Sequence, residues 1–254
     1  MKNKILSIAL ICIFIFSSVA FADAETHEAV VSLGKNLSEE QRKEMLNLFG
    51  ANENAKIIEV TNEEEREYLG EFIDEKLLGT RAISSVYVEK LPEGEGIMVD
   101  SRNITWVTND MYRNAIVTAG IKDAKTVVAA PFQVSGTAAL TGIMKAFEDL
   151  TGEEITEVEK KIASEEIAKT ATLGSEIGQE EAEELITNIK MYVVKNNVKR
   201  KGSIKKVAEE MANDLGIELT KEQMDQIVSL MKGISKLNLD IDEIKGQLQD
   251  ISGK

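Results

Sequence analysis

The chain is poor in the side chains that usually do chemistry. It has one cysteine, one histidine, one tryptophan and two prolines in 254 residues. Cys12 lies inside an apolar run near the N-terminus, so a chain without that run carries no thiol. Disulfides, thiolate metal sites and cysteine nucleophiles are then excluded. His27 is the only imidazole, so a Ser-His-acid triad would have to rest on a residue at a ragged chain end. Cations are outnumbered, 30 Lys and Arg against 44 Asp and Glu, for a net charge of −14. Such a surface repels nucleic acid and anionic polymers on average and favours solubility. The hydrophobic fraction, 43%, is ample for a folded core in one or two domains.

Met1-Lys2-Asn3-Lys4 precedes an apolar run from Ile5 to Phe16, and Ser17-Ser18-Val19-Ala20-Phe21-Ala22 follows. A basic end, a short apolar stretch and a small-x-small close describe a secretory signal over residues 1–22. Cleavage is expected after Ala22, leaving Asp23 first. An uncleaved anchor is the rival, but the run falls short of the roughly 20 residues a spanning helix needs. Ile11 precedes Cys12 and more apolar residues follow, which is not the setting of a lipidated cysteine. Lys2 and Lys4 leave with the signal, so the remaining chain carries −16. The expected location is extracytoplasmic.

Residues 23–150 read as a mixed α/β domain. Ala29–Leu33 and Lys56–Val60 are apolar enough for strands. Ser38 with Gln41 and Thr61 with Glu64 form capping boxes that open two helices. The second carries Tyr68, Leu69, Phe72 and Ile73 on its inner side. Arg81–Lys90 and Gly96–Val107 are longer strands joined by Pro92-Glu93-Gly94-Glu95-Gly96, the pattern of an antiparallel hairpin. Thr108 caps a helix running to Ala119. Lys125–Ala130 is a fifth strand, ended by Pro131, before a helix from Gly136 to Leu150. The alternation predicts a fold of the α/β (or α+β) class, with about five strands in a mixed sheet covered by helices. From residue 151 to 254 strands vanish and an all-helical module is expected, with helices near 154–172, 178–197, 203–214, 221–236 and 239–250. Leu33-Gly34-x-x-Leu37-Ser38-x-Glu40-Gln41 recurs as Leu215-Gly216-x-x-Leu219-Thr220-x-Glu222-Gln223, which reads as two uses of one capped-helix start.

Three blocks carry a family likeness. They are Gly79-Thr80-Arg81-Ala82-Ile83-Ser84-Ser85-Val86-Tyr87-Val88, Asn103-Ile104-Thr105-Trp106-Val107-Thr108, and Val127-Val128-Ala129-Ala130-Pro131-Phe132 continuing through Val134-Ser135-Gly136-Thr137-Ala138-Ala139-Leu140-Thr141-Gly142. The chain resembles the YpuA-like family of exported Gram-positive proteins with a domain of unknown function (DUF1002). The resemblance implies an envelope-associated protein, and it brings no activity and no catalytic residues.

Several constellations invite a functional reading. Ser135-Gly136-Thr137 opens a helix after a strand, and a helix N-terminus suits phosphate or carboxylate. Thr80 and Arg81 could complete a small-anion site there. The competing reading is a Ser135 N-cap with small residues packed against the sheet. Ser84-Ser85 interrupts an apolar strand; a buried hydroxyl needs a partner, most often backbone, and no Ser-x-x-Lys stands in the blocks. Acidic pairs are too numerous for any glycosidase pair to be singled out, and Asp110 reads as a first-turn helix charge. Asn238-x-Asp240-x-Asp242 has calcium-loop spacing, but Glu243 stands where glycine is wanted and Gln249 where glutamate is, so capping of the last helix is expected. Trp106 reads as core packing rather than a sugar platform. Lys195, Lys199, Arg200, Lys201, Lys205 and Lys206 crowd into twelve residues of an acidic chain. A helix C-terminus accounts for two or three of them; the rest suit an anionic lipid, an anionic wall polymer or an acidic partner.

These features favour an exported, non-enzymatic binding or scaffold protein of the cell envelope, without cofactor or metal, whose partner is an envelope protein or an anionic surface. The alternative is an enzyme or small-anion binder acting on a wall-related or phosphorylated substrate at the Thr80-Arg81 and Ser135–Thr137 edge.

Overall fold

A computed structural model of the chain describes residues 29–51 and 55–248. The expected signal over 1–22, Cys12 and His27 lie outside the described residues.

The order is β1 (Ala29–Gly34), α1 (Glu39–Leu48), β2 (Lys56–Val60), α2 (Asn62–Leu69), α3 (Glu75–Leu78), β3 (Ser85–Lys90), β4 (Ile97–Ile104), α4 (Asn109–Thr118), β5 (Ala124–Val134) and α5 (Thr137–Thr151). Five further helices follow: α6 (Glu157–Ile177), α7 (Gln179–Lys195), α8 (Lys201–Asp214), α9 (Lys221–Ile234) and α10 (Ile241–Leu248). The fold is α/β, a mixed five-stranded sheet with helices and a helical C-terminal half. Both expected capping boxes are present, Ser38 with Gln41 and Thr61 with Glu64. Two more, Thr156 with Glu159 and Thr220 with Gln223, open α6 and α9. The first copy of the echoed motif follows a strand and the last follows a helix, so the echo is a shared helix start.

The sheet order is β2-β1-β3-β5-β4. β1 and β2 run parallel, as do β4 and β5, while β3 is antiparallel to β1 and β5. The expected β3–β4 hairpin is therefore corrected: β5 lies between the two strands. The reason is burial. β5 is apolar on both faces from Val127 to Ala130 and belongs inside the sheet, whereas β4 exposes Asp100, Ser101, Arg102 and Asn103 and belongs at an edge. The loop after β3 passes over the start of β5 and is held there by Asp123, whose Oδ1 accepts from the N–H groups of Gly94 (3.0 Å) and Gly96 (2.9 Å).

Three boundaries also differ from expectation. β5 runs through Pro131 because its pairing with β3 ends at Ala129, and its register with β4 jumps from Arg102↔Ala129 to Ile104↔Val134. Pro131 sits in that bulge, where no ladder N–H is required. β3 begins at Ser85, not Arg81, because Ala82 bonds to Asn36 on both its N–H and C=O instead of a strand. α2 ends at Leu69, and Phe72 and Ile73 form a turn on Leu69 O before the short α3.

α5 covers one sheet face, packing Leu140, Ile143, Met144 and Phe147 in one core with Val30, Val86, Val88 and Val128. α1 covers part of the other, with Met45 in a cluster with Val31, Leu33, Ile83 and Ala129. The helical half has its own core around Leu185, Ile189, Ile204, Leu230 and Met231. α6 serves both: Ala163, Ile167 and Ala171 join the sheet core, while Ile162 and Leu173 join the helical one. α10 returns Ile244 and Leu248 to the sheet core. Gln247 closes this contact, accepting from Asp123 N (2.8 Å) and donating to Asp123 Oδ1 (3.2 Å). Among the described residues no helix is long and apolar enough to cross a membrane.

Candidate functional site

The edge formed by the start of β3 and the end of β5 brings the expected anion-site segments together. Ala82 and Ala138 share a small cluster with Val60, and Thr80 and Arg81 are exposed beside it. Ser135 is not the N-cap of α5; Gly136 is, with φ 97° and no side-chain cap bond. Ser135 Oγ instead lies 3.1 Å from Thr137 Oγ1. Gly136 does permit a close approach, but by the protein itself. A Cβ there meets Tyr112 Oη at 2.4 Å and Ile104 Cγ2 at 2.5 Å, and Tyr112 Oη donates to Gly136 O. The first turn of α5 also faces an internal carboxyl group. Glu65, only 1% exposed, accepts a hydrogen bond from Asn62 Nδ2 (3.0 Å) and has the Thr137 hydroxyl as a second polar neighbour. Burial raises its carboxyl above the ordinary range, against the opposing pull of those groups and of Arg66.

The remaining candidates have partners within the protein. Ser85 Oγ accepts from Gly34 N (3.1 Å) and donates to Ile83 O (3.3 Å), so backbone occupies the hydroxyl. Trp106 is 8% exposed within the core, its Nε1 donating to Ser175 Oγ at 3.2 Å. Asp240 Oδ1 caps α10 through the N–H groups of Asp242 (2.9 Å) and Glu243 (3.0 Å). Asp110 stands in the first turn of α4 and pairs with Arg113 at 2.9 Å. Among the described residues no group of three or more His, Cys, Asp or Glu is placed to hold a metal ion.

The six clustered cations are all exposed, and the structure spreads them. Lys195 ends α7 and faces a cleft bordered by Tyr192, Met211 and Lys245. Lys205 faces another, between α8 and α9. Lys205 and Lys206 approach Glu209 (3.5 Å) and Glu210 (3.6 Å) one turn on. Lys199, Arg200 and Lys201 stay together and gain neighbours the sequence did not suggest. Lys232 donates to Lys199 O at 2.6 Å. Lys201, Lys232 and Lys236 line one cleft of about 600 Å³ with Lys161 of α6. Among the described residues Lys199, Arg200, Lys201, Lys232 and Lys236 have no carboxylate within 4.0 Å. The sequence signal was available: Lys232 and Lys236 stand one turn apart at the end of α9, but only the packing of α9 on α6 and α8 brings them to residues 199–201.

The α8 part of this pole opposes local helix electrostatics, whereas Lys232, in the last turn of α9, stands where the dipole favours a cation. Arg200 is the N-cap of α8, without a side-chain cap bond, and the first turn contains Lys201 and no acidic residue. The positive end of the helix dipole disfavours cations there. Of the six clustered cations, the helix-C-terminus explanation therefore covers Lys195 alone.

A second feature missed in the sequence lies under the sheet–helix junction. Lys190 and Glu166 are 0% and 1% exposed and form an ion pair at 2.7 Å. Lys190 Nζ also donates to Asn114 O (3.1 Å) and Thr118 Oγ1 (3.2 Å), using all three of its N–H groups. Thr118 in turn donates to Glu166. The network joins α4, α6 and α7 and is sealed from solvent.

The family model described as "Protein of unknown function (DUF1002)" matches residues 33–251. An "Uncharacterized protein YpuA" of Bacillus subtilis (strain 168) is 40% identical over 247 residues, covering 97% of this chain and 85% of that protein. No solved structure matches the chain. With a family model spanning most of its length and such a relative, the chain belongs to the DUF1002 family, whose activity is not established.

Proposed function

We propose that the chain is an exported, non-enzymatic binding protein of the cell envelope whose cationic pole contacts an anionic envelope component. Export rests on the signal pattern of residues 1–22. The observation that carries the binding role is the pole itself. In a strongly acidic chain, Lys199–Lys201 stand against the end of α9 that carries Lys232 and Lys236, and the five have no carboxylate partner among the described residues. Three of them stand at a helix start where positive charge is unfavourable for folding. Cations kept at a cost to the helix are explained by an external anion.

The test is co-sedimentation of the form beginning at Asp23 with wall fragments and with anionic vesicles. It is compared with a variant carrying Lys199→Gln, Arg200→Gln, Lys201→Gln and Lys236→Gln. The expected result is retention that falls with rising salt and is largely lost in the variant. Equal retention of the two forms ends the proposal.

A further inference from the structure

The cleft at the cationic pole has an apolar element that pure charge attraction does not use. It lies between the first half of α6 and the end of α9, with Lys201 at its mouth. Ile162 forms its floor beneath Gly233, where a Cβ would touch Ile162 Cδ1 at 3.5 Å. Val158, in the first turn of α6, stands at its rim and is 57% exposed, more than any other exposed large hydrophobic residue of the described chain. Lys161, Lys201, Lys232 and Lys236 line the same cleft, and Glu157, 70% exposed, precedes Val158 on α6. Of the two carboxylates of the cleft, Glu165 is held by Lys169 with both side chains largely buried, while the exposed Glu157 pairs only weakly with Lys160 at 3.2 Å. Lys161 reaches Glu71 at 2.7 Å, but both side chains are more than half exposed, so that pair is weak and exchangeable.

An exposed apolar side chain on a cleft with four lysines suits one kind of anionic surface better than another. A hydrophilic polyanion satisfies the ammonium groups and gains nothing from Val158. A bilayer satisfies both, since phosphodiester headgroups meet the lysines while an apolar side chain enters the boundary beneath them. Lysine stems lie along apolar surface with their charged heads outward, as such a contact requires. All four cations of the cleft are lysines, compact point charges suited to a diffuse phosphate field rather than to forked recognition of one group. The acidic remainder of the chain is repelled by the same surface, which keeps the pole facing it.

We infer that the α6–α9 cleft docks on an anionic lipid bilayer, with Val158 at the headgroup–acyl boundary and Lys161, Lys201, Lys232 and Lys236 against lipid phosphodiesters. The inference rests on the cationic pole being a binding surface, and its test separates the two claims. The form beginning at Asp23, free of the apolar leader, is titrated with phosphatidylglycerol–phosphatidylcholine vesicles, with phosphatidylcholine vesicles, and with soluble poly(glycerol phosphate). Binding to the anionic vesicles and not to the neutral ones is expected. Lys201→Gln and Lys236→Gln each weaken it roughly fivefold, the equivalent of about 1 kcal/mol per cation near the surface. Val158→Asn weakens vesicle binding and leaves polymer binding unchanged. Val158→Trp supplies a reporter over the buried Trp106: its emission shifts to the blue on anionic vesicles and is quenched by brominated acyl chains. If the chain binds the soluble polymer but not the vesicles, or if the Val158→Trp emission stays at its solvent wavelength on bound vesicles, the bilayer inference is overturned and the wider reading survives. Binding to none of the three overturns both.

Discussion

Removing the ammonium of Lys190 by Lys190→Met tests the sealed network most directly. The side chain is fully buried, its three N–H groups are all bonded, and its partner Glu166 is 1% exposed. The substitution keeps most of the packing volume but leaves a buried carboxylate with Thr118 as its remaining hydrogen-bond donor. Breaking one side of a buried pair in this way costs about 3–5 kcal/mol. For a chain of this size that lowers the melting temperature by roughly 6–20 °C. The pair itself is a different quantity, because desolvation of both ions offsets much of their attraction. The double variant Lys190→Met, Glu166→Leu is therefore expected to recover most of the loss, or to exceed the parent in stability. Urea unfolding of the parent, both single variants and the double variant gives the coupling energy directly. If Lys190→Met costs less than about 1 kcal/mol, or if the single losses simply add in the double variant, the argument from a sealed, fully bonded ammonium is refuted.

Two further perturbations address the β3–β5 edge. Burial holds the Glu65 carboxyl above its ordinary 4.5. Folding therefore favours the neutral acid, and this contribution is complete below pH 4.5 and is lost as pH rises through the raised value. Glu65→Gln stays neutral throughout, so its melting temperature relative to the parent rises between pH 4 and pH 7; an identical difference at the two pH values rules the argument out. Gly136→Ala combines a φ of 97° with a new methyl 2.4 Å from Tyr112 Oη. A loss of about 2 kcal/mol or more is expected in chemical denaturation, and a neutral result shows that the edge has room the structure does not indicate.

Much of the fold was legible locally. Capping boxes at Ser38, Thr61 and Thr220 and the N-cap Thr108 place their own helices, because a side-chain oxygen and a backbone N–H two or three residues on are all that a cap requires. The five C-terminal helices follow from apolar spacing for the same reason. Strand order was not legible. Pro92–Gly96 has the composition of a hairpin turn, and its glycines do turn, but they turn around Asp123, 27 residues beyond Gly96.

The functional surfaces divide along the same line. Lys195–Lys206 is visible as a run of charge, yet a linear cluster does not state which side chains share a face. Helix packing sends Lys195 and Lys205 to separate clefts and joins Lys199–Lys201 to Lys232 and Lys236. Lys190 falls on the apolar stripe of α7 with Ile186, Ile189 and Val193, a hint that it is buried, but Glu166 as its counter-ion is set by how α6 meets α7. Sequence alone determined the helices, their caps, the acidic balance and the leader pattern, since each is an interaction among residues a turn or two apart. Only the tertiary structure decided the order of the strands, the sealed ion pair and the cationic cleft, because each depends on which distant segments bury their apolar faces against one another.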